Sequence, residues 1–335
     1  MKCREVQLTA VPGDTVTAKS FGVFDADSGT ASPGQVLVGL RRLGLNAGLA
    51  HRLGGPGTAY GPGIEVGDVP GSDAVVEVLA SCAEGWQQGD LAVGKAPWRT
   101  AFVVDADELR KIDAPSSDDE LDAHLTILGH VGFTAWTGMI HVGNVQPDDV
   151  VYVSGAAGGV GSCAVQLAKA RGATVIGVAG SAEKLTLLRE TLGADRAINR
   201  HDGPAVDLLR DAAPDGIDLY FDNVGGEQLE AALDVLNPGG RAVICGAVDG
   251  AGSGGPANYR NLIYSELTMR GFAVTAHEDL RGDFEAEVGR WFATGVVRSL
   301  HTVFDGIDTV AEAFESLLSG GSSGRVIVAV QSQRG

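Results

Sequence analysis

Cysteine is scarce in this 335-residue chain: only Cys3, Cys82, Cys163 and Cys245 occur, far apart in sequence. None forms a CxxC pair or stands at metal-ligand spacing from a histidine, which disfavours both a disulfide framework and structural zinc. They read as small buried hydrophobes kept reduced. Long apolar runs are missing too, since none reaches the roughly 18 residues needed to span a bilayer. The start, MKCREVQLTA, has no long apolar core behind a basic end, so a cytoplasmic protein is expected. Positive charge is also in short supply: 25 Lys and Arg face 43 Asp and Glu, a net charge of −18. That charge repels phosphate backbones and anionic lipid, so neither nucleic acid nor a membrane is an expected partner.

What remains is globular. A hydrophobic fraction of 44% with 20% charged residues suits packed cores, and the length allows two ordinary domains. Residues 1 to 125 read as short β segments, EVQLTA, QVLVGL, SDAVVEVLA, DLAVG and RTAFVV, separated by breakers such as Gly54-Gly55-Pro56-Gly57. Residues 126 to 298 alternate strand and helix: VVYVS, a glycine turn, VGSCAVQLAKARG, ATVIGVAG, SAEKLTLLRETLG, and onward through DLYFD, EQLEAALDVL and RAVICGA. Repeated βαβ implies a parallel sheet, with a sixth strand expected on FAV at Phe272 and the helix EQLEAALDVL ending at Pro238-Gly239-Gly240. From residue 299 to 335 a short amphipathic helix, DTVAEAFESLLSG, and a strand, RVIVAV, are expected to rejoin the β-rich domain.

The segment AAGGVGS, Ala156 to Ser162, carries the first functional signal. A pyrophosphate cradle needs glycines where the chain turns tightly, approaches the phosphates and lets a helix pack on a strand, and it needs the positive end of that helix. Gly158, Gly159, Val160 and Gly161 follow an apolar strand and open a helix, with Ala156 at the first glycine position of the dinucleotide fingerprint. At the end of the next strand, Val178-Ala179-Gly180-Ser181 has no carboxylate to bond a ribose 2′-hydroxyl. Ser181, Lys184 and Arg200 instead offer a hydroxyl and two cations, which favours NADPH over NADH.

With AAGGVGS, GSAEK, FDNVGG, ICGA and NYRNL in order, the chain resembles the medium-chain dehydrogenase/reductase superfamily. The likeness is to its zinc-independent branch of prostaglandin reductases, leukotriene B4 12-hydroxydehydrogenases and 2-alkenal double-bond reductases. It runs from Leu128 to Val330 and is looser before that, where Leu43 to Gly54 lacks the branch's usual Asp-Pro-Tyr-Met-Arg. The resemblance implies an α/β fold, a Rossmann doubly wound parallel sheet domain plus a β-rich GroES-like catalytic domain. It assigns Gly158 to Gly161 to the pyrophosphate of NADPH (NADP+), Lys184 to the 2′-phosphate and Asn223 to the adenosine side. It also implies that Cys245, Gly246, Ala247 and Val248 line the cofactor and that backbone groups of Phe272 to Val274 hold the nicotinamide carboxamide. Arg200 and Ser322 replace a tyrosine and an asparagine of the branch, and both keep polar donors. Zinc-dependent relatives use an early cysteine and histidine; Asn46 and Ala47 stand near the first position, and Glu65 has no histidine before it.

Tyr259 matches the branch's active-site tyrosine, a donor linking the nicotinamide ribose and the substrate oxygen. The implied reaction sends a hydride to the β-carbon of an α,β-unsaturated carbonyl, with enolate charge stabilised near Tyr259. Tyr60, Trp98 and Trp136 are candidates for the apolar part of the substrate pocket, and Thr134 is placed near the nicotinamide by analogy. The substrate is expected to be a small enone or enal, with a dedicated biosynthetic role in secondary metabolism open. A quinone reductase and a non-catalytic NADPH-binding protein remain as alternatives. A homodimer through the sheet edge near Leu267 to Val274 is expected by resemblance.

Overall fold

The structure, a computed structural model, describes residues 1–13, 15–58, 61–246 and 255–331. It divides into two compact units, Thr126–Leu300 and the pair of segments Met1–Leu125 and His301 onward. The expected Tyr60, Ala247 and Val248 lie outside the described residues.

Unit Thr126–Leu300 is built on six strands: β1 (Val150–Val153), β2 (Thr174–Ala179), β3 (Arg196–Asn199), β4 (Ile217–Asp222), β5 (Leu236–Ile244) and β6 (Thr268–Gly271). Every pairing is parallel, and the spatial order is β3-β2-β1-β4-β5-β6. The central strands are near-continuous apolar runs because helices cover both faces of such a sheet. Val151, Tyr152, Val153, Leu219, Tyr220 and Phe221 are accordingly buried. After β3 the chain returns to the other side of β1, which makes the carboxyl ends of β1 and β4 the topological switch point where such sheets bind ligands.

Two expectations for this unit are corrected. The sixth strand is Thr268–Gly271, not FAV, and Val274 opens a 3₁₀ turn to Leu280. All four residues of β6 are exposed, so this edge strand has no apolar run to mark it, whereas buried Val274 supplies an apolar signal outside the strand. The helix before β5 ends at Val235, and Pro238-Gly239-Gly240 falls inside the irregular first half of β5.

The β-rich unit holds a seven-stranded sheet whose centre is Gln35–Gly44, paired antiparallel with Gly71–Ser81, Ala101–Asp105 and the C-terminal strand Arg325–Ala329. Beside it Lys2–Leu8 and Phe21–Asp27 form an antiparallel pair. Among the described residues no helix is long and apolar enough to cross a membrane.

Candidate dinucleotide-binding site

Beyond β1 the chain makes the tight turn that AAGGVGS suggested, but the residue with left-handed backbone is Gly155, at φ 56°, rather than position 156. Ala156 is fully buried and its N–H donates to Val178 O at 3.0 Å, locking the turn to β2. Gly155 was therefore missed, one residue upstream of the segment singled out. Gly161 is required by packing: a Cβ there would lie 2.2 Å from Gly155 O and 2.9 Å from Ala156 Cα, both backbone atoms. Gly158 caps the helix Gly159–Ala170 with ordinary backbone (φ −83°), and no side chain caps the helix's first N–H groups. An anion at this helix end meets backbone donors and the positive end of the dipole, so the turn fits a pyrophosphate.

At the end of β2 three of the expected residues converge. Ser181 caps the helix Ala182–Thr186, its Oγ accepting from Lys184 N at 3.4 Å. Arg200 lies against Gly180, where a Cβ would come 3.0 Å from the guanidinium carbon, and its Nε donates to His201 Nε2 at 3.2 Å. Burial, and then the Arg200 charge, hold the Lys184 ammonium below the usual lysine range. A site that penalises an existing cation in this way gains when a dianionic phosphate arrives. One complication is Glu183, whose exposed carboxyl is held below its usual range by its own backbone N–H and by the Ser181 hydroxyl. Ser181 is thus engaged before any ligand binds, and the two cations are the stronger candidates for a 2′-phosphate.

The ends of β4 and β5 bring Asn223, Cys245 and Gly246 together. Asn223 N–H donates to Ser154 Oγ at 2.9 Å and its Nδ2 to Ser154 O at 2.7 Å. A Cβ at Gly246 would come 3.1 Å from Asn223 O, so these segments touch through backbone. Burial, with the charge of Asp222, pushes the Cys245 thiol up to about 12. Phe272 turns its ring onto Gly138, within 2.7 Å of where a Cβ would stand, while Ala273 is exposed and Val274 buried.

Tyr259 is displayed outward, 54% exposed, on a segment that is tied down on both sides. Asn258 Nδ2 donates to Glu230 O and Asp234 Oδ1, and Asn261 Nδ2 to Leu233 O and the same Asp234 Oδ1, at 2.7–3.1 Å. Half-buried Thr134 spends its hydroxyl on His130 O at 2.8 Å. Ser322 belongs to the other unit and is buried.

Two aromatic pocket candidates are corrected. Trp98 is 0% exposed, between Phe21 and Phe314 at centroid distances of 5.3 and 5.6 Å, with its Nε1 donating to Ser72 Oγ. Trp136 is buried against Phe133 and Phe284 and donates to Glu287. Both are core residues: their rings are buried against neighbouring aromatics, and their N–H groups are satisfied internally. Among the described residues no group of three or more His, Cys, Asp or Glu is placed to hold a metal ion.

A doubly wound sheet with a phosphate turn beyond β1 and a cationic end to β2 defines an NADP(H) oxidoreductase domain. Comparison with known proteins agrees. Residues 159–292 match the family model described as zinc-binding dehydrogenase, and residues 4–112 that of the N-terminal domain of oxidoreductases. The chain is 33% identical to prostaglandin reductase 1 of Rattus norvegicus over 79% of its length and 82% of that protein's. It is 28% identical to the NADPH-dependent curcumin reductase of Escherichia coli, covering 96% and 95%. The crystal structure of CurA from Vibrio vulnificus in complex with NADPH superposes with a TM-score of 0.90 at 26% identity, over 98% of this chain and 99% of that one. The chain belongs to the medium-chain dehydrogenase/reductase superfamily, in the branch that includes the prostaglandin reductases, and is an NADPH-dependent oxidoreductase.

Proposed function

We propose that the protein reduces the carbon–carbon double bond of a small α,β-unsaturated carbonyl compound. Bound NADPH supplies a hydride. Gly155, Gly158 and Gly161 shape the turn for its pyrophosphate, and Lys184 and Arg200 attract its 2′-phosphate. Tyr259 donates a hydrogen bond to the substrate carbonyl oxygen, where negative charge grows as the β-carbon is reduced. The observation that carries this is the presentation of Tyr259: an exposed phenol on a segment held from both sides by Asn258 and Asn261 is preorganised to act as a donor. Relatives named for curcumin and prostaglandin reduction support the substrate class.

The test is NADPH oxidation with matched panels of enones, enals and quinones, for wild type and Tyr259→Phe. Enone or enal turnover that falls by about 10²-fold in the variant, with NADPH affinity kept, is expected from the loss of one oxyanion donor. Turnover of quinones alone sinks the proposal, and tight NADPH binding with no turnover of any panel makes the protein a cofactor-binding subunit. We further propose a homodimer joined along β6, because that edge strand is exposed throughout and Met269, Ile263 and Tyr264 are large exposed apolar side chains on or beside it. Light scattering checks it. A cytoplasmic setting suits the four cysteines, all free thiols.

A further inference from the structure

Asp222 closes β4 and is fully buried, yet nothing in the proposed reaction uses it. A buried carboxylate needs donors, and those donors are ordinarily spread over both oxygens. Here they are concentrated on one. Oδ1 accepts from the Tyr220 hydroxyl at 2.7 Å, the Ser154 hydroxyl at 3.1 Å, Val224 N–H at 2.9 Å and Gly225 N–H at 2.7 Å. Oδ2, buried as deeply, has no hydrogen-bond partner among the described residues. The backbone carbonyl of Asp222 adds two more ties, accepting the N–H groups of Cys245 and Gly246, each at 2.9 Å.

These partners are not scattered. Ser154 follows β1 and immediately precedes the left-handed Gly155 of the phosphate turn. Val224 and Gly225 form the turn after β4, and Cys245 and Gly246 follow β5. Ser154 in turn accepts Asn223 N–H, which joins the β1 and β4 ends a second time. Tyr220 reaches Asp222 from inside the core, stacked on Tyr152 at 5.3 Å, and burial pushes its phenol well above the usual range, so it remains a donor. One residue thus ties together the three adjacent strand ends that carry the phosphate turn, Asn223 and the Cys245–Gly246 segment: its carboxylate joins the β1 and β4 ends, and its backbone carbonyl holds the end of β5. Accumulating four donors on one oxygen and leaving the other bare costs stability relative to an even distribution. A polar arrangement with that cost, placed at the switch point of the sheet, points to function rather than to core stability.

We propose that Asp222 is a positioning residue of the NADPH site, holding the ends of β1, β4 and β5 at the separation the dinucleotide requires through the contacts gathered on Oδ1 and on its carbonyl. The proposal rests on the reading that those strand ends receive the dinucleotide. Asp222 acts on the part of the site shared by NADPH and NADH, whereas Lys184 and Arg200 act on the 2′-phosphate alone.

The experiment measures equilibrium binding of NADPH and of NADH to purified full-length variants by calorimetry, with kcat and KM for NADPH alongside. Asp222→Ala removes the shared acceptor and is expected to raise both dissociation constants together by about tenfold or more, with kcat kept within about threefold. The preference for NADPH over NADH stays as in wild type. Asp222→Asn keeps Oδ1 as acceptor and recovers most of the lost affinity. Tyr220→Phe removes one donor, keeps the ring stacked on Tyr152, and serves if Asp222→Ala does not fold; both constants then rise by about threefold. A lower melting temperature with unchanged dissociation constants, or a fall in kcat alone, overturns the proposal. A change in the NADPH-to-NADH preference overturns it as well. Wild-type protein that binds neither dinucleotide overturns the reading of the strand ends, and the proposal with it.

Discussion

Replacing Gly161 with alanine probes the phosphate turn where its geometry is least forgiving. The new Cβ would stand 2.2 Å from Gly155 O, 2.9 Å from Gly155 C and 2.9 Å from Ala156 Cα. None of these atoms belongs to a flexible side chain, so relief requires the helix Gly159–Ala170 and the turn to part by about 1 Å, a misplacement large enough to cost about 10²-fold in a preorganised site. Overpacking of this kind also costs roughly 1–3 kcal/mol of stability. Gly158→Ala is the internal control: its Cβ would meet only Gly155 O, at 3.3 Å, from a backbone conformation open to any residue. Stability should then hold within about 0.5 kcal/mol, while any rise in the NADPH dissociation constant reports close approach of the ligand itself. Urea unfolding and calorimetric titration with NADPH separate the two quantities. If Gly161→Ala leaves both unchanged, helix and strand do not pack through that contact, and the account of the turn is wrong.

Further outcomes follow from the same geometry. A lysine attracts phosphate only while protonated, and Lys184 is held below the usual range; as pH rises, NADPH affinity should therefore weaken before an ordinary lysine would titrate, with NADH affinity flat. Lys184→Arg should remove that alkaline loss, and parallel pH profiles for the two dinucleotides would refute the assignment. Trp98→Ala should cost about 3–5 kcal/mol in urea unfolding, as expected for a buried aromatic; a loss near zero would return Trp98 to the surface. With its thiol pushed up to about 12, half-buried Cys245 should react with a disulfide reagent near pH 8 much more slowly than exposed Cys82. Mass-spectrometric detection of Cys245 labelling as fast as that of Cys82 would contradict a thiol raised beside Asp222.

What could be read from the sequence divides along physical lines. Steric requirements are local, so Gly161 is legible in a strand–turn–helix pattern, and the missing carboxylate after β2 exposes the cofactor preference without any contact being known. Ala156 can stand at the first glycine position of the fingerprint because the left-handed turn is taken one residue earlier, by Gly155; the fingerprint counts positions, whereas sterics count only where the chain reverses. Edge strand β6 escaped for the opposite reason to the central strands: with every side chain exposed, it has no hydrophobic period to detect. Trp98 and Trp136 looked like pocket residues because aromatics at loops and at helix ends are ambiguous until the partner of the indole N–H is known, and Ser72 and Glu287 are distant in sequence. Asp222 is the most instructive case. An acidic residue ending the apolar run DLYFD is a local anomaly, and buried acids are rarely left without a task. Its partners, however, come from the ends of β1, β4 and β5, and only the assembled sheet brings Ser154 and Gly225 to its carboxylate and Gly246 to its backbone carbonyl.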